Sequence, residues 1–247
     1  NFNKNMNDNY FQNVAIIGSN GAIGSALVDI LSEDKNKSIL AFSRNTKKFK
    51  KTNIFSYNID IENENSIQQA SIKASQIGSL DLVILATGFL HDSYIKPEKS
   101  LNDIKMENFQ KLYLINSIGP ALIARFFLPI LSKEKKSLFA VLSARVGSIS
   151  DNRLGGWYAY RSSKAALNMI IKNAAIEMAR KNKKAIVTGL HPGTVNSNLS
   201  LPFQSNVKKD QLFSASYAAS KLLDVVNNLN ISDSGKCFAW DQTLISP

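Results

Sequence analysis

"VAIIGSNGAIG", Val14 to Gly24, decides the fold. Val14 to Ile17 are apolar and end at turn residues, the pattern of a short strand buried on both faces. Gly18, Gly21 and Gly24 follow, and from Ser25 to Leu31 apolar residues recur at helical spacing. Glycines between a strand and a helix let the backbone approach a pyrophosphate, while the helix N-terminus offers free N–H groups. Gly18, Asn20, Gly21, Ile23 and Gly24 are therefore candidate phosphate-binding residues. The competing reading is a plain glycine turn.

Outward from this unit the pattern repeats. "SILAFS" and the weaker "NIFSYNID" read as second and third strands, and Asn63 to Ile77 as a helix that Gly78 ends. "DLVILATG" is a fourth strand, two helices are expected over Leu101 to Leu131, and "SLFAVLSA" is a fifth strand. A long helix runs from Tyr158 to about Lys181, then the strand "KAIVTGLHPG", a polar loop, a helix over Ser214 to Asn228, and a last strand "KCFAW". This alternation, without repeats or linkers, predicts one α/β domain. The expected architecture is a Rossmann-type, doubly wound parallel sheet of about seven strands with helices on both faces. Its boundaries are 14–247, with a substrate loop near 196–212 and a loosely attached lead over 1–13. Met6 reads as the natural start, with Asn1 to Asn5 as added residues.

Hydrophobic residues make up 44% of the 247 and charged residues 20%, as in globular proteins. No apolar run approaches the roughly 20 residues that cross a bilayer, so no membrane partner is expected. The single cysteine, Cys237, excludes an internal disulfide and a thiolate metal cluster, which favours a reducing cytoplasm and no metal. The net charge of +11 comes from lysines scattered in short groups rather than a stripe. Nucleic-acid binding is therefore not expected.

Ligands of such a sheet sit beyond the C-terminal ends of its strands. The second strand ends in Ser43 and Arg44, with no carboxylate for a ribose diol. A guanidinium suits a 2′-phosphate, so NADP(H) is favoured over NAD(H); the alternative is an exposed loop arginine. Asp60 and Ile61 border an adenine position, although Asp60 also reads as a helix cap. Ala86, Thr87 and Gly88 end the fourth strand with small residues. Tyr160 and Lys164 lie one turn apart on one helix face. A phenol near pKa 10 is a poor proton donor at neutral pH, and a nearby ammonium lowers that value. Alone, the pair reads more readily as a surface aromatic beside a solvated charge.

Taken together, the glycine turn, Asp60, "ATG" at 86–88, Asn116, Tyr160 with Lys164, and "HPGTVNS" from His191 to Ser197 resemble the short-chain dehydrogenase/reductase family along nearly the whole chain. "LSARVGSISDNRLGGWYAYRSSKAALN", "LHPGTV" and "SGKCFAW" look like its C-factor-like branch. The resemblance implies hydride transfer between nicotinamide and a carbonyl or alcohol, with Tyr160 as general acid/base and Lys164 also on the cofactor ribose. It implies that Asn116 bends its helix and holds a relay water. Pro192, Gly193, Val195 and Ser197 would wrap the nicotinamide. A homodimer or homotetramer is a further implication. His191 reads as a packed strand residue.

Two departures stand out. Ala22 occupies the usual second glycine position, with Gly21 before it. Ala144 occupies the position of the serine that steadies the substrate carbonyl. Ser143 is the slightly favoured substitute, with Ser148 or a water as alternatives, although neighbours on a strand point to opposite faces. A second function class follows: a dinucleotide-binding regulator with little turnover. Leu199 to Leu212 is expected to close over the substrate, with Phe203 as an apolar wall.

Overall fold

A computed structural model describes residues 11–247. Eight strands form the main sheet, in the order β3 (Ile54–Asn58), β2 (Ser38–Ser43), β1 (Asn13–Ile17), β4 (Leu82–Leu85), β5 (Ser137–Leu142), β6 (Ala185–His191), β9 (Cys237–Ala239) and β10 (Leu244–Ile245). The first seven in this order run parallel, as the alternation of strands and helices requires. The eighth, β10, adds antiparallel to β9 through a ladder of two residue pairs, too short to leave a sequence pattern. A separate two-stranded ladder joins β7 (Thr194–Val195) to β8 (Leu212–Phe213).

Alternate residues of each strand serve opposite layers. Val14, Ile16, Ile39, Leu82, Ile84 and Leu138 face α1 (Ala22–Leu31) and α6 (Ala215–Asn228). Ala15, Ile17, Leu40, Phe42, Val83 and Phe139 face α2 (Glu64–Ser75), α4 (Gly119–Phe127) and α5 (Tyr158–Lys181). Each fully buried aliphatic side chain contributes about 1.5–3 kcal/mol, so these two layers carry most of the stability.

The expected pair of helices over Leu101 to Leu131 is instead one helical stretch, Met106–Ile130. It begins with α3 (Met106–Tyr113), widens into a π segment at Leu114–Ile118 and continues as α4. Asn116 and Ser117 lie in this π segment and Gly119-Pro120 directly follow it, and the wider turn re-phases the backbone ladder without ending the helix. By length and composition this stretch could cross a membrane. Half of its apolar window is buried, with Ile123, Ala124 and Phe127 in the core.

The lead over 1–13 lies outside the described residues up to position 10. Phe11 is buried, and the carboxylate of Asp81 accepts from the N–H groups of Gln12 (2.7 Å) and Asn13 (3.0 Å), so the described part is tied to the sheet. Asp81 also pairs with Lys135 at 3.0 Å.

Candidate active site

The glycine turn is held from below. Gly18 adopts φ +90°, and the N–H groups of Gly18 and Ser19 both donate to the carbonyl of Phe42, at 2.9 and 3.0 Å. A Cβ on Gly24 would sit 2.1 Å from the Gly18 carbonyl oxygen, so only glycine allows α1 to pack this close. Gly21 caps α1 without a side-chain hydrogen bond, and no acidic residue occupies the first turn. Those N–H groups at a positive helix end remain for an anion. Ala22 and Gly21 are exposed, Ile23 half-buried, so the shifted glycine leaves the mouth open.

Two buried polar atoms here have no partner: Oδ1 of Asn20 and Oγ1 of Thr87. Asn20 donates its Nδ2 to the carbonyl of Asn45 at 2.5 Å, which fixes the orphaned oxygen. Unsatisfied buried polar atoms are costly, and these two flank the turn between β1 and β4. Ser43 is committed to Asn45 at 2.7 Å. Asn58 grips the main-chain oxygen of Arg44 at 2.5 Å, while the Arg44 side chain is exposed and forms no ion pair among the described residues. Asn63, not Asp60, caps α2, accepting from the Ser66 N–H at 3.0 Å. Asp60 stays half-buried at the end of β3, its Oδ1 on the N–H of Glu62. Ile61 packs against the opposite core layer, its carbonyl facing Gly119.

The structure brings Gly88, Asn116 and Lys164 together: a Cβ on Gly88 would lie 3.8 Å from the Lys164 Nζ and 4.0 Å from the Asn116 Oδ1. Asn116 sits in the π segment, accepts from the Phe89 N–H (2.9 Å), and donates to the Phe89 carbonyl (2.8 Å) and Ser163 Oγ (3.1 Å). It thus ties the end of β4 to α5. Lys164 donates to the carbonyl of Leu142 at 2.9 Å, and its Nζ lies 5.9 Å from the Tyr160 ring centre. Burial pushes Lys164 down to about 8. The expected lowering of Tyr160 does not hold in this state: burial pushes its phenol up to about 12. The ammonium is engaged with Leu142, so desolvation dominates.

Ser143 and Ala144 occupy different surroundings. Ser143 Oγ donates to Asn168 Oδ1 at 2.6 Å, whereas Ala144 packs in the apolar group around Tyr160. The Ser143 hydroxyl is thus engaged with α5 at Asn168, while Ala144 lies beside Tyr160. Ser148 is buried too, donating to the Pro247 carbonyl at 3.3 Å and accepting from the Asp151 N–H at 3.1 Å.

Beyond β6, Gly193 at φ +75° turns the chain, and a Cβ there would meet the Phe213 ring at 2.6 Å. Val195 is buried and pairs with Phe213 through β7 and β8; Pro192 and Ser197 are half-buried on either side. His191 has a buried Nδ1 without a partner, and burial, aided by Arg145, pushes it down to about 4 against the opposing pull of Asp241. The segment after Ser197 lies across the site: the Leu199 side chain comes within 3.9 Å of the Gly88 position, and its carbonyl meets His91 Nε2 at 3.0 Å.

Sequence reasoning missed Glu98 and Trp157. Glu98 is buried at 2% exposure and bonds to the first turn of α5 from 61 residues away. Trp157 stands before Tyr158 in a left-handed conformation, φ 51° and ψ 43°. The glycine pair Gly155-Gly156 was the available signal.

The glycine turn between β1 and α1 and the buried tyrosine–lysine pair lie beyond the C-terminal ends of the strands of one doubly wound sheet, the arrangement of a Rossmann-type oxidoreductase. Within that class, the chain belongs to the short-chain dehydrogenase family, whose model matches residues 12–208. It is similar to an uncharacterized oxidoreductase of Schizosaccharomyces pombe, C663.09c, at 26% identity over 93% of this chain and 96% of that one. It is similar to C-signal of Myxococcus xanthus at 30% identity over 58% of this chain and 81% of that one. A crystal structure of NADPH-bound carbonyl reductase from chicken fatty liver shares the fold, with TM-score 0.81 and 21% identity over 96% of this chain and 94% of that one.

Proposed function

We propose that the protein is an NADP-dependent reductase of small carbonyl compounds, or dehydrogenase of the corresponding alcohols, with Tyr160 as general acid/base. The observation that carries this reading is the convergence of Asn116, Lys164 and Gly88 within about a side chain's reach of one another, beside Tyr160. The cofactor supplies and takes the hydride. Gly18 and Gly21 shape the turn, and the free N–H groups at the N-terminus of α1 would hold the pyrophosphate; the Thr87 hydroxyl can donate to a phosphate, while Asn20 Oδ1 can accept from a ribose hydroxyl. Arg44 meets a 2′-phosphate, and Asp60 and Ile61 edge the adenine. Pro192, Gly193, Val195 and Ser197 enclose the nicotinamide end.

Reduction needs a proton on the substrate oxygen, and Tyr160 donates it. A phenol held up by burial is a weak acid, so it must be charge-assisted as it reacts. Lys164, drawn from Leu142 toward the ribose and the phenol, stabilises the phenolate. Asn116 fixes the π turn and the β4 end that frame this transfer. With Ala144 near Tyr160, the carbonyl receives no serine hydroxyl from that position. That departure favours a second reading, a dinucleotide-binding regulator with little turnover, in keeping with the similarity to C-signal of Myxococcus xanthus.

The same proposal places the protein in the cytoplasm and pairs it with itself. Exposed Met169 and Ile176, seven residues apart on one face of α5, and exposed Ile118 on the π segment support a homo-oligomer. The deciding test is NADPH oxidation against a panel of aldehydes and ketones, wild type beside Tyr160→Phe, with NADPH binding measured for both. The enzyme reading expects turnover lost and binding kept in the variant. NADPH binding without turnover in either protein supports the regulator.

A further inference from the structure

We propose that Trp157 and Phe203, their rings in contact with each other, form the wall of an aromatic slot beside Tyr160 that selects planar, aromatic carbonyl substrates; this rests on the carbonyl-reductase reading above. The Trp157 ring centre lies 6.1 Å from that of Tyr160, at an interplanar angle of 69°. Phe203 sits 4.8 Å from Trp157 at 55°, and His91 backs Phe203 at 5.5 Å and 77°. The apolar group around Tyr160 is completed by Leu90, Leu112, Ala144 and Val146. Trp157 and Phe203 are half-buried, so each keeps surface for a ligand.

The backbone of Trp157 gives an independent argument. Among the described residues only Trp157 and Gln242 are non-glycine with positive φ. A bulky side chain is a poor occupant of the left-handed region, where glycine or asparagine fits at less cost. The chain holds an indole there, directly before the helix that carries Tyr160, and the backbone N–H of Trp157 donates to the Glu98 carbonyl at 2.5 Å. Strain maintained at such a place points to what the side chain supplies, and what it supplies is a rigid flat wall.

The polar neighbours leave orientation to that wall. Ser143 is committed to Asn168, Glu98 to Ala159, His91 to the Leu199 carbonyl, and Asn116 to Phe89 and Ser163. Ala144 offers no hydroxyl. Tyr160 then provides the one polar contact to the carbonyl oxygen, and a single contact leaves a flexible chain free to rotate. A planar ring held by offset or edge-to-face contacts with Trp157 and Phe203 has its carbonyl directed. The slot therefore discriminates by flatness.

The experiment uses the full chain with NADPH, comparing 4-nitrobenzaldehyde with hexanal as the internal reference. Wild type is expected to prefer the aromatic aldehyde in kcat/KM by about tenfold or more, the scale of one or two well-packed aromatic contacts. Phe203→Ala, in the part of the wall that lies outside the helix, should collapse that preference chiefly through KM. Trp157→Gly, which suits the left-handed backbone, should do the same, and Trp157→Phe should restore most of it. A wild-type preference for hexanal, or a ratio unchanged in Phe203→Ala and Trp157→Gly, overturns the slot and leaves carbonyl reduction standing. Binding is read separately in a Trp240→Phe background, where Trp157 is the remaining tryptophan. Saturable quenching of its fluorescence by 4-nitrobenzyl alcohol with NADP bound, lost in Phe203→Ala, supports the slot even if nothing is turned over. Absence of quenching overturns it.

Discussion

Glu98 accepts the backbone N–H of Ala159 at 3.2 Å, one residue before Tyr160, from a loop 61 residues earlier in the chain. The same residue's carbonyl accepts the N–H of Trp157. Trp157, the N-cap of α5, gives no side-chain cap of its own. A distant acidic side chain thus does the work that a local serine or aspartate does at most helix starts, at the favourable end of the helix dipole.

Glu98→Ala is expected to leave the Ala159 N–H buried and unpaired, at a cost of about 1–3 kcal/mol in stability. Because Tyr160 is the next residue, kcat should fall about tenfold, a misplacement effect, with the affinity for NADPH unchanged. Glu98→Gln keeps an acceptor oxygen and should recover to within about threefold of wild type. Steady-state kinetics beside NADPH titrations check this. A destabilised Ala variant with wild-type kcat would assign Glu98 to folding alone.

Ala144→Ser places a hydroxyl in the group around Tyr160 while leaving Ser143 on Asn168. A donor aimed at the developing charge is worth on the order of ten- to a hundredfold, so kcat/KM should rise by about that factor. Ser143→Ala breaks the 2.6 Å bond to Asn168; it should lower the melting temperature and leave turnover unchanged. Lost turnover in Ser143→Ala would return the catalytic role to that hydroxyl.

Arg44→Ala tests the cofactor preference. A charge-assisted contact to the 2′-phosphate contributes about 1.5–3 kcal/mol, so the Kd for NADPH should rise about ten- to a hundredfold. NADH, which lacks that phosphate, should shift little. Fluorescence titration with both cofactors decides; equal losses would remove Arg44 from the 2′-phosphate site.

Much of this arrangement is legible in the sequence because its signals are local. The run Val14 to Gly24 carries strand, turn and helix start within eleven residues, and the structure keeps all three. Tyr160 and Lys164 share a helix face by spacing alone. What the sequence hides depends on distance or on a rare backbone state. Two helices are expected over Leu101 to Leu131, yet a π turn at Leu114–Ile118 carries one helix through. Glu98 reads as one charge in a polar loop until the fold brings it to Ala159. Trp157 becomes informative only with its φ of 51°. The raised phenol of Tyr160 needs the burial and the Lys164–Leu142 bond, neither of which is visible in a four-residue spacing.

His191 carries the last prediction, on acid stability. Burial and the neighbouring Arg145 push its pKa down to about 4 in the folded protein, with Asp241 opposing, whereas an unfolded histidine titrates near its ordinary 6.5. Between these values the unfolded chain binds a proton that the folded chain refuses, so stability falls as pH drops from about 6.5 to 4. The full effect across that window is about 3 kcal/mol, at roughly 1.4 kcal/mol per pH unit. Other carboxylates also titrate there, so the comparison is with His191→Asn, which keeps a polar side chain and removes the proton site. Urea unfolding at pH 7 and pH 4.5 should show a smaller acid loss in the variant than in the wild type. Equal losses in both proteins would mean that His191 is protonated in the fold, its Nδ1 having found an acceptor, with Asp241 as the nearest candidate.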